Sequence, residues 1–178
     1  MFKSIYYYID KFNKDEIDKL DRSISVIYRN YSNKVNENDT KHLVNFCKSQ
    51  RRKVYISNNL NLALKFNFDG IYIPSFNKIL KYKNIYKRGF EIIGSAHNIK
   101  EVLIKEKQGC SKIFLCPIFK TKKKEYSLGV TKFNLIRLYT KKDVIPLGGI
   151  NENNIKKINL CGIKSVGAIS WIKKTAQV

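Results

Sequence analysis

The stretch Val-Ile-Pro-Leu-Gly-Gly-Ile-Asn-Glu-Asn-Asn, residues 144–154, has the pattern of a short apolar strand, two glycines and the start of a helix. Gly148 and Gly149 would lie at the carboxyl end of that strand, where residues without side chains let backbone N–H groups approach a ligand closely. The amino end of the following helix would favour an anion, above all a phosphate. The stretch predicts a phosphate-binding turn, and the alternative is a tight turn that binds nothing.

A second stretch of the same kind follows at 166–170, where an apolar run ends in small residues and the hydroxyl of Ser170. Two adjacent strand ends that both hold phosphate are typical of the last two units of a (β/α)8 barrel. The 178 residues fit one domain, 1–178, but are few for a barrel, which typically needs ~250. We therefore predict a compact α/β TIM barrel with short loops.

The whole chain alternates between strand-like and helical patterns. The segments predicted as strands are 5–9, 23–29, 53–57, 69–73, 90–94, 112–116, 144–147 and 165–169. The segments predicted as helices are 14–20, 39–49, 59–65, 77–87, 98–108, 131–139, 152–160 and 170–176. Such alternation predicts a parallel sheet with helical crossovers, and eight units predict its closure into a barrel. The alternative is an open doubly wound sheet, but no glycine-rich fingerprint follows the first strand.

The formal net charge of +21 would by itself suggest a nucleic-acid or membrane-surface partner. However, the lysines are spread along the chain and accompany abundant Asn, Ile, Tyr and Phe, which favours a compositional origin, so we do not expect a nucleic-acid partner. The alternative is a field that attracts anions. Widely spaced cysteines argue against a zinc site or a disulfide framework; they are Cys47, Cys110, Cys116 and Cys161. No signal peptide or membrane span is predicted, so we expect a cytoplasmic protein with mostly buried, reduced thiols.

His97 is the most informative residue at the predicted strand ends. The chain has two histidines, and His42 falls within a predicted helix. An imidazole can both accept and donate a proton near neutral pH, which suits general acid–base catalysis. The alternative is a loop histidine that hydrogen-bonds to the backbone.

Cations accompany His97 at these strand ends, whereas carboxylates do not. Arg29 follows the second predicted strand and could hold a phosphate with its planar guanidinium, although a surface ion pair is the alternative. Lys122, Lys123 and Lys124 lie in the loop after the sixth strand, beside the proposed phosphate site. A site without acidic residues is poorly equipped to hold Mg²⁺.

Several segments in the same order along the chain carry a resemblance to a known family. They are Leu62–Leu64 with Asp69–Ile71, Ile93–Asn98, Cys116–Thr121 with Lys124 and Leu128–Gly129, Ile145–Asn151, and Gly162–Ser170. Together they resemble thiamine phosphate synthase and its thiazole tautomerase relatives. The resemblance implies a (β/α)8 fold and a thiazole-phosphate ligand whose phosphate is held by Gly148, Gly149 and the Ser170 turn.

The sequence departs from the synthase branch of this family at two places. That branch has a Gln-x-Arg-x-Lys pattern after the second strand, and here the three positions are Ile27, Arg29 and Tyr31. Its two metal-binding aspartates fall on Asn58 and Asn77. These departures favour the tautomerase branch, which moves a proton on a carboxythiazole phosphate and needs no metal.

We therefore predict a thiazole tautomerase of thiamine biosynthesis, with His97 as the catalytic acid–base. The predicted substrate-binding residues are Arg29, Asn58, Ser95, Thr121, Lys124, Gly148, Gly149 and Ser170. No cofactor or metal is expected, and Mg²⁺ would be needed only under the alternative, a thiamine phosphate synthase that couples a pyrimidine pyrophosphate to thiazole phosphate. A third option is a non-catalytic relative that binds a phosphorylated ligand. The expected partner is the small-molecule thiazole phosphate, with no membrane and with a homodimer as one option.

Overall fold

The computed structural model describes residues 2–31, 35–85, 88–121, 125–168 and 172. Its strands are β1 (Ser4–Ile9), β2 (Ile24–Tyr28), β3 (Val54–Ser57), β4 (Gly70–Ile73), β5 (Glu91–Ala96), β6 (Lys112–Leu115), β7 (Asp143–Pro146) and β8 (Ser165–Ala168). All pairs are parallel, each strand pairs with its sequence neighbour from β1 to β7, and β1 also pairs with β8. A parallel bridge between Leu147 and Gly167 joins β7 to β8, so the sheet is a nearly closed barrel. The predicted fold and its eight strands are confirmed.

Helices follow most of the strands. They are α1 (Lys14–Asp18), α2 (Glu37–Ser49), α3 (Leu60–Lys65), α4 (Ile99–Lys107), α5 (Gly129–Arg137) and α6 (Ile155–Asn159). The prediction of an α-helix over 77–87 is wrong, because the described part of that segment forms only a short 3-10 helix, Leu80–Asn84. The predicted final helix, 170–176, lies outside the described residues except for Ile172.

The start of one predicted helix also differs from the structure. Helix α2 begins at Glu37 because the Asn36 side chain accepts hydrogen bonds from the first free N–H groups, so the predicted start at Asp39 is late. In α3, Leu62 and Ala63 are buried, whereas Leu64 is 41% exposed. Helix α4 agrees with the prediction, since Asn98 is its N-cap.

Aromatic rings fill the barrel interior. The inward cluster consists of Tyr6, Tyr8, Ile27, Tyr55, Tyr72, Ile93, Phe114, Ile145 and Leu147. The Phe114 ring packs edge-on against Tyr6, with centroids 5.0 Å apart, and against Tyr8 at 5.8 Å. Separate apolar clusters fill the space between the strands and the helices. Because the interior is packed with side chains, a ligand can bind only at an end of the barrel.

A carboxylate surrounded by donors occupies the amino end of the barrel. Glu91, the first residue of β5, forms salt bridges with Lys53, at 2.5 Å, and with Lys112. The Tyr55 hydroxyl donates to the same carboxylate from the barrel interior, at 3.2 Å. Burial raises the pKa of Glu91, but the two ammonium groups outweigh burial and hold that pKa below its ordinary value.

The cysteines are less buried than predicted. Cys47 and Cys110 are buried, and burial raises the pKa of each thiol to about 12, whereas Cys116 and Cys161 are half-buried. None of the four, all of which the structure describes, forms a disulfide. Within the described residues, no helix has the length and apolar character needed to cross a bilayer.

Candidate active site

The double glycine lies at the carboxyl end of β7, where the loop after β6 packs against it. Gly148 and Gly149 have φ values of +93° and +72°. The Phe119 amide donates to the Gly148 carbonyl at 3.1 Å, and a side chain on Gly149 would lie 2.5 Å from the Phe119 carbonyl oxygen. Close packing against the chain's own backbone thus explains why both residues are glycine. Among the described residues, neither glycine donates its amide N–H to a backbone carbonyl.

The segment after Gly149 differs from the prediction of an immediate helix. An asparagine-rich turn separates the glycines from α6, which begins only at Ile155. The Asn151 side chain accepts hydrogen bonds from the Asn153 and Asn154 amides, and the Asn154 side chain accepts from the Asn151 amide. The amides of Asn153 and Asn154 are therefore used within the turn, before α6 begins.

His97 lies at the carboxyl end of β5 and is held from two sides. Its amide N–H donates to Glu101 Oε2 at 2.8 Å, while Asn98 and Glu101 form the reciprocal capping box of α4. On the ring, Nδ1 is 2.6 Å from the Cys116 carbonyl oxygen. Because a carbonyl can only accept, Nδ1 carries the proton and Nε2 of the neutral ring is left as an acceptor. The half-buried imidazole is thus oriented as a base.

Arg29 lies at the carboxyl end of β2, above the aromatic interior. Its guanidinium is 4.8 Å from the centroid of the Tyr8 ring and 6.0 Å from that of Tyr31. It forms no salt bridge with any described residue, so the alternative of a surface ion pair is wrong for this part of the chain. The charge remains available to an anionic ligand.

Asn58 and Asn77 meet at the carboxyl ends of β3 and β4. Asn77 Nδ2 donates to Asn58 Oδ1 at 2.5 Å and to the Tyr82 hydroxyl at 2.9 Å, while Asn77 Oδ1 accepts from the Ile79 amide. Asn58 is exposed with a positive φ of 57°, and Asn77 is buried. The two side chains form a neutral amide pair whose inner member is already hydrogen-bonded.

A buried lysine holds the loop that carries Asn77. Lys105 in α4 is 0% exposed, and its ammonium donates to the Pro74 carbonyl, the Asn77 carbonyl and Gln108 Oε1 at 2.7–2.9 Å. Gln108 donates to the Asn77 and Ile79 carbonyls. These side chains take the carbonyl groups that an α-helix over 77–87 would need, which explains why that helix does not form. Burial lowers the pKa of Lys105 to about 8.

The remaining predicted substrate-binding residues occupy different environments. Ser95 is 5% exposed in the barrel interior. Burial raises the pKa of Tyr72 to about 12, although the Ser95 side chain partly opposes the rise. Thr121 is half-buried in the loop after β6. Lys124 and Ser170 lie outside the described residues.

A surface groove of about 430 Å³ lies away from these residues. Its lining includes Arg137, Thr140 and Asp143, which places it at the amino end of β7. Residues that carry chemistry in a (β/α)8 barrel lie at the opposite ends of the strands. The groove is therefore separate from the site formed by Arg29 and His97.

Comparison with known proteins identifies the family. The family model described as thiamine monophosphate synthase matches residues 22–172. The chain belongs to this thiamine monophosphate synthase family. The curated thiamine-phosphate synthase of Prochlorococcus marinus is 35% identical over 137 residues, and that of Clostridium acetobutylicum is 31% identical over 127 residues. These alignments cover 75% and 69% of this chain, but only 40% and 60% of the two relatives.

A solved structure has the same fold as this chain. The thiamine phosphate pyrophosphorylase of Pyrococcus furiosus superimposes with a TM-score of 0.78 and 16% identity, covering 99% of this chain and 92% of that one. At this identity the superposition supports the barrel alone. The resemblance seen in the sequence motifs is thus confirmed at the level of family and fold.

The family implies a bound Mg²⁺. We therefore ask whether the side-chain oxygens of Asn58 and Asn77 could bind this ion. Mg²⁺ prefers carboxylate oxygens, whereas Asn58 and Asn77 are neutral. The Asn77 side chain also already bonds to Asn58, Tyr82 and the Ile79 amide. The described residues contain no group of three or more His, Cys, Asp or Glu side chains suited to a metal. The residues present at the amide pair do not fit Mg²⁺.

The sequence-based analysis missed two residues of this site. Tyr8 lies beneath Arg29, and its position on the inward face of β1, alternating with Tyr6, was the available signal. Lys105 follows Val102 by three residues and shares its buried face, where an apolar residue is the usual choice. A lysine at a buried helical position therefore indicated a polar network.

Proposed function

We propose that this chain binds a phosphorylated thiazole in thiamine biosynthesis and acts as a thiamine-phosphate synthase. The observation that carries the proposal is the similarity, at 31–35% identity, to curated proteins with that name. Because the chain spans 40–60% of their length, the activity of the whole relatives is a proposal for this chain. The prediction of a tautomerase has less support from these relatives and becomes the second candidate.

The coupling reaction matches the charges at the carboxyl ends of the strands. The thiazole nitrogen would form a bond to the methylene carbon of the pyrimidine while the bond from that carbon to pyrophosphate breaks. The nitrogen becomes cationic and the pyrophosphate leaves as an anion, so no proton has to move. In this proposal Gly148 and Gly149 bind the thiazole phosphate through their amides, and Arg29 binds the leaving pyrophosphate.

The test is an assay with thiazole phosphate and hydroxymethylpyrimidine pyrophosphate, in which thiamine phosphate and released pyrophosphate are both measured. We expect equal amounts of both products, and a loss of about tenfold or more in rate for Arg29→Met. Arg137→Met, which changes an arginine of α5 at the amino-end groove, is the matched control and should retain activity. No thiamine phosphate at saturating substrates, with or without Mg²⁺, would remove the synthase proposal.

The orientation of His97 favours thiazole tautomerisation as a second candidate. With Nδ1 donating to the Cys116 carbonyl, Nε2 is an acceptor that could take a proton from a carboxythiazole phosphate and return it to another position. The test supplies the thiazole tautomer and follows its conversion by His97→Gln and by His42→Gln, whose histidine is exposed on α2. This candidate requires conversion to fall about 100-fold or more in the first variant alone.

Family membership also supports the expectation of a small-molecule enzyme located in the cytoplasm. Localisation by fractionation and the mass of the protein in solution would test the cytoplasmic prediction and the option of a homodimer. The proposed coupling reaction depends on neither the location nor the oligomeric state of the protein.

A further inference from the structure

The hydroxyl groups of the inward tyrosines differ in whether they have partners. At the amino end, the Tyr55 hydroxyl donates to Glu91 at 3.2 Å. Tyr8, by contrast, is 4% exposed, and its hydroxyl is the one buried side-chain oxygen or nitrogen without a hydrogen-bond partner in the described part of the chain. A buried polar atom without a partner is rare in folded proteins and calls for an explanation.

The surroundings of Tyr8 place this hydroxyl beside the proposed site. Tyr8 is paired with Ile27, two residues before Arg29, and the Arg29 guanidinium lies over its ring. Edge-on contacts with Tyr72, at 5.6 Å, and Phe114 hold the ring in place. The Tyr72 hydroxyl is near enough to influence Tyr8, but the two hydroxyls do not meet hydrogen-bond geometry. The ring therefore cannot turn its hydroxyl away without losing this packing.

The protonation state of Tyr8 determines what it can offer a ligand. Burial raises the pKa of Tyr8 well above its ordinary value, so the group is a neutral hydroxyl at physiological pH. A neutral hydroxyl can donate to an anionic oxygen. The adjacent Arg29 supplies the positive charge that would bring such an oxygen to this place.

We propose that Tyr8 is a ligand-binding residue whose hydroxyl donates to a phosphate or pyrophosphate oxygen held by Arg29. The inference rests on the proposed function, because that function supplies the anion. In the substrate-bound state, the Tyr8 hydroxyl would gain the acceptor that it lacks in the free protein, and the phosphate oxygen would gain a donor.

Tyr8→Phe tests this proposal because it removes the hydroxyl and keeps the ring under Arg29. We expect the urea midpoint of the ligand-free protein to stay equal or rise, since no hydrogen bond is lost on substitution. Affinity for inorganic pyrophosphate or for thiazole phosphate, measured by calorimetry, should fall roughly fivefold to tenfold for at least one of the two probes. The probe that is affected identifies which anion Tyr8 contacts.

Tyr55→Phe is the matched control from the same interior cluster. It removes a hydroxyl that is bonded to Glu91, so the urea midpoint should fall while affinity for both probes is retained. If wild-type protein binds a probe and Tyr8→Phe binds both probes equally well, the role of Tyr8 is overturned and the proposed function stands. If wild-type protein binds neither probe, both proposals fail. A lower midpoint with unchanged affinity would show that the Tyr8 hydroxyl serves stability.

Discussion

Glu91 at the amino end of the barrel and Arg29 at the carboxyl end differ in whether the described protein supplies an oppositely charged partner. At the amino end, Glu91 receives hydrogen bonds from Lys53, Lys112 and the inward Tyr55, so charges and donors are paired within the protein. At the carboxyl end, the described residues provide no ion-pair partner for Arg29 and no hydrogen-bond partner for the Tyr8 hydroxyl. Paired groups stabilise the folded chain, whereas unpaired ones retain binding capacity that only a ligand can use. We therefore expect Glu91 to contribute mainly to stability, and Arg29 and Tyr8 to contribute mainly to ligand binding.

The largest effect should come from filling the space beside the double glycine. Gly149→Ala combines a positive φ of 72° with a side chain placed 2.5 Å from backbone oxygens of Lys120 and Phe119. Because strain and overpacking add, we expect the free energy of unfolding to fall by roughly 3 kcal/mol and thiazole-phosphate binding to weaken. Urea unfolding and calorimetry would measure the two effects.

Gly162→Ala is the control that separates strain from overpacking. Gly162 has a similar φ of 65° at the end of α6, but a side chain there would meet nothing within 4 Å. We expect a loss of only about 1 kcal/mol and unchanged binding. Equal losses for the two variants would contradict the view that the loop after β6 packs tightly against Gly149.

The next largest effect should come from removing the charge of Glu91 at the amino end of the barrel. Glu91→Gln should lower the free energy of unfolding by about 2 kcal/mol, because two lysines and Tyr55 lose a charged acceptor on a side chain that is 20% exposed. Since the folded-state pKa of Glu91 is depressed, its contribution is present above about pH 4.5 and is lost as the pH falls through the folded value. Denaturation curves from pH 7 to pH 3 should therefore converge for wild type and variant.

A matched change at an exposed salt bridge provides the control for this prediction. Lys65→Gln removes a salt bridge to Glu37 in which both side chains are more than half exposed. We expect a change below about 0.5 kcal/mol, because exposed ion pairs contribute little. If Glu91→Gln has no larger effect than Lys65→Gln, Glu91 does not contribute mainly to stability.

Much of the fold was predictable from local patterns. Short β-branched or aromatic runs such as those at β1 and β3 alternate with helical segments, and this periodicity specifies a parallel barrel. The segment 77–87 was not predictable in the same way. The Asn77 and Ile79 carbonyls of this segment accept hydrogen bonds from Lys105 and Gln108, which are distant in sequence, so tertiary contacts override the local helical pattern.

The sequence predicted the location of a candidate site residue only where that residue directly follows a strand. His97 and Arg29 follow strands, so parallel topology brings them to the same end of the barrel. The partner of each group depends on packing across the barrel. No sequence pattern shows that the His97 ring bonds to the Cys116 carbonyl, that Asn58 meets Asn77, or that the Tyr8 hydroxyl has no partner.

The smallest effect on stability should come from Arg29→Lys. This substitution keeps the positive charge at the carboxyl end of the barrel but removes the planar guanidinium. The guanidinium lies over the Tyr8 ring without a described ion pair, so its replacement should change the free energy of unfolding by less than about 0.5 kcal/mol. A lysine cannot bind two phosphate oxygens side by side, so affinity for inorganic pyrophosphate should fall by about 1 kcal/mol, roughly fivefold. Calorimetry at two salt concentrations would separate the contribution of charge from that of the planar guanidinium. Wild type and Arg29→Lys carry the same charge, so salt should weaken pyrophosphate binding equally in both. Unchanged affinity would mean that Arg29 acts as a charge alone, and a large loss of stability would mean that Arg29, too, contributes to stability.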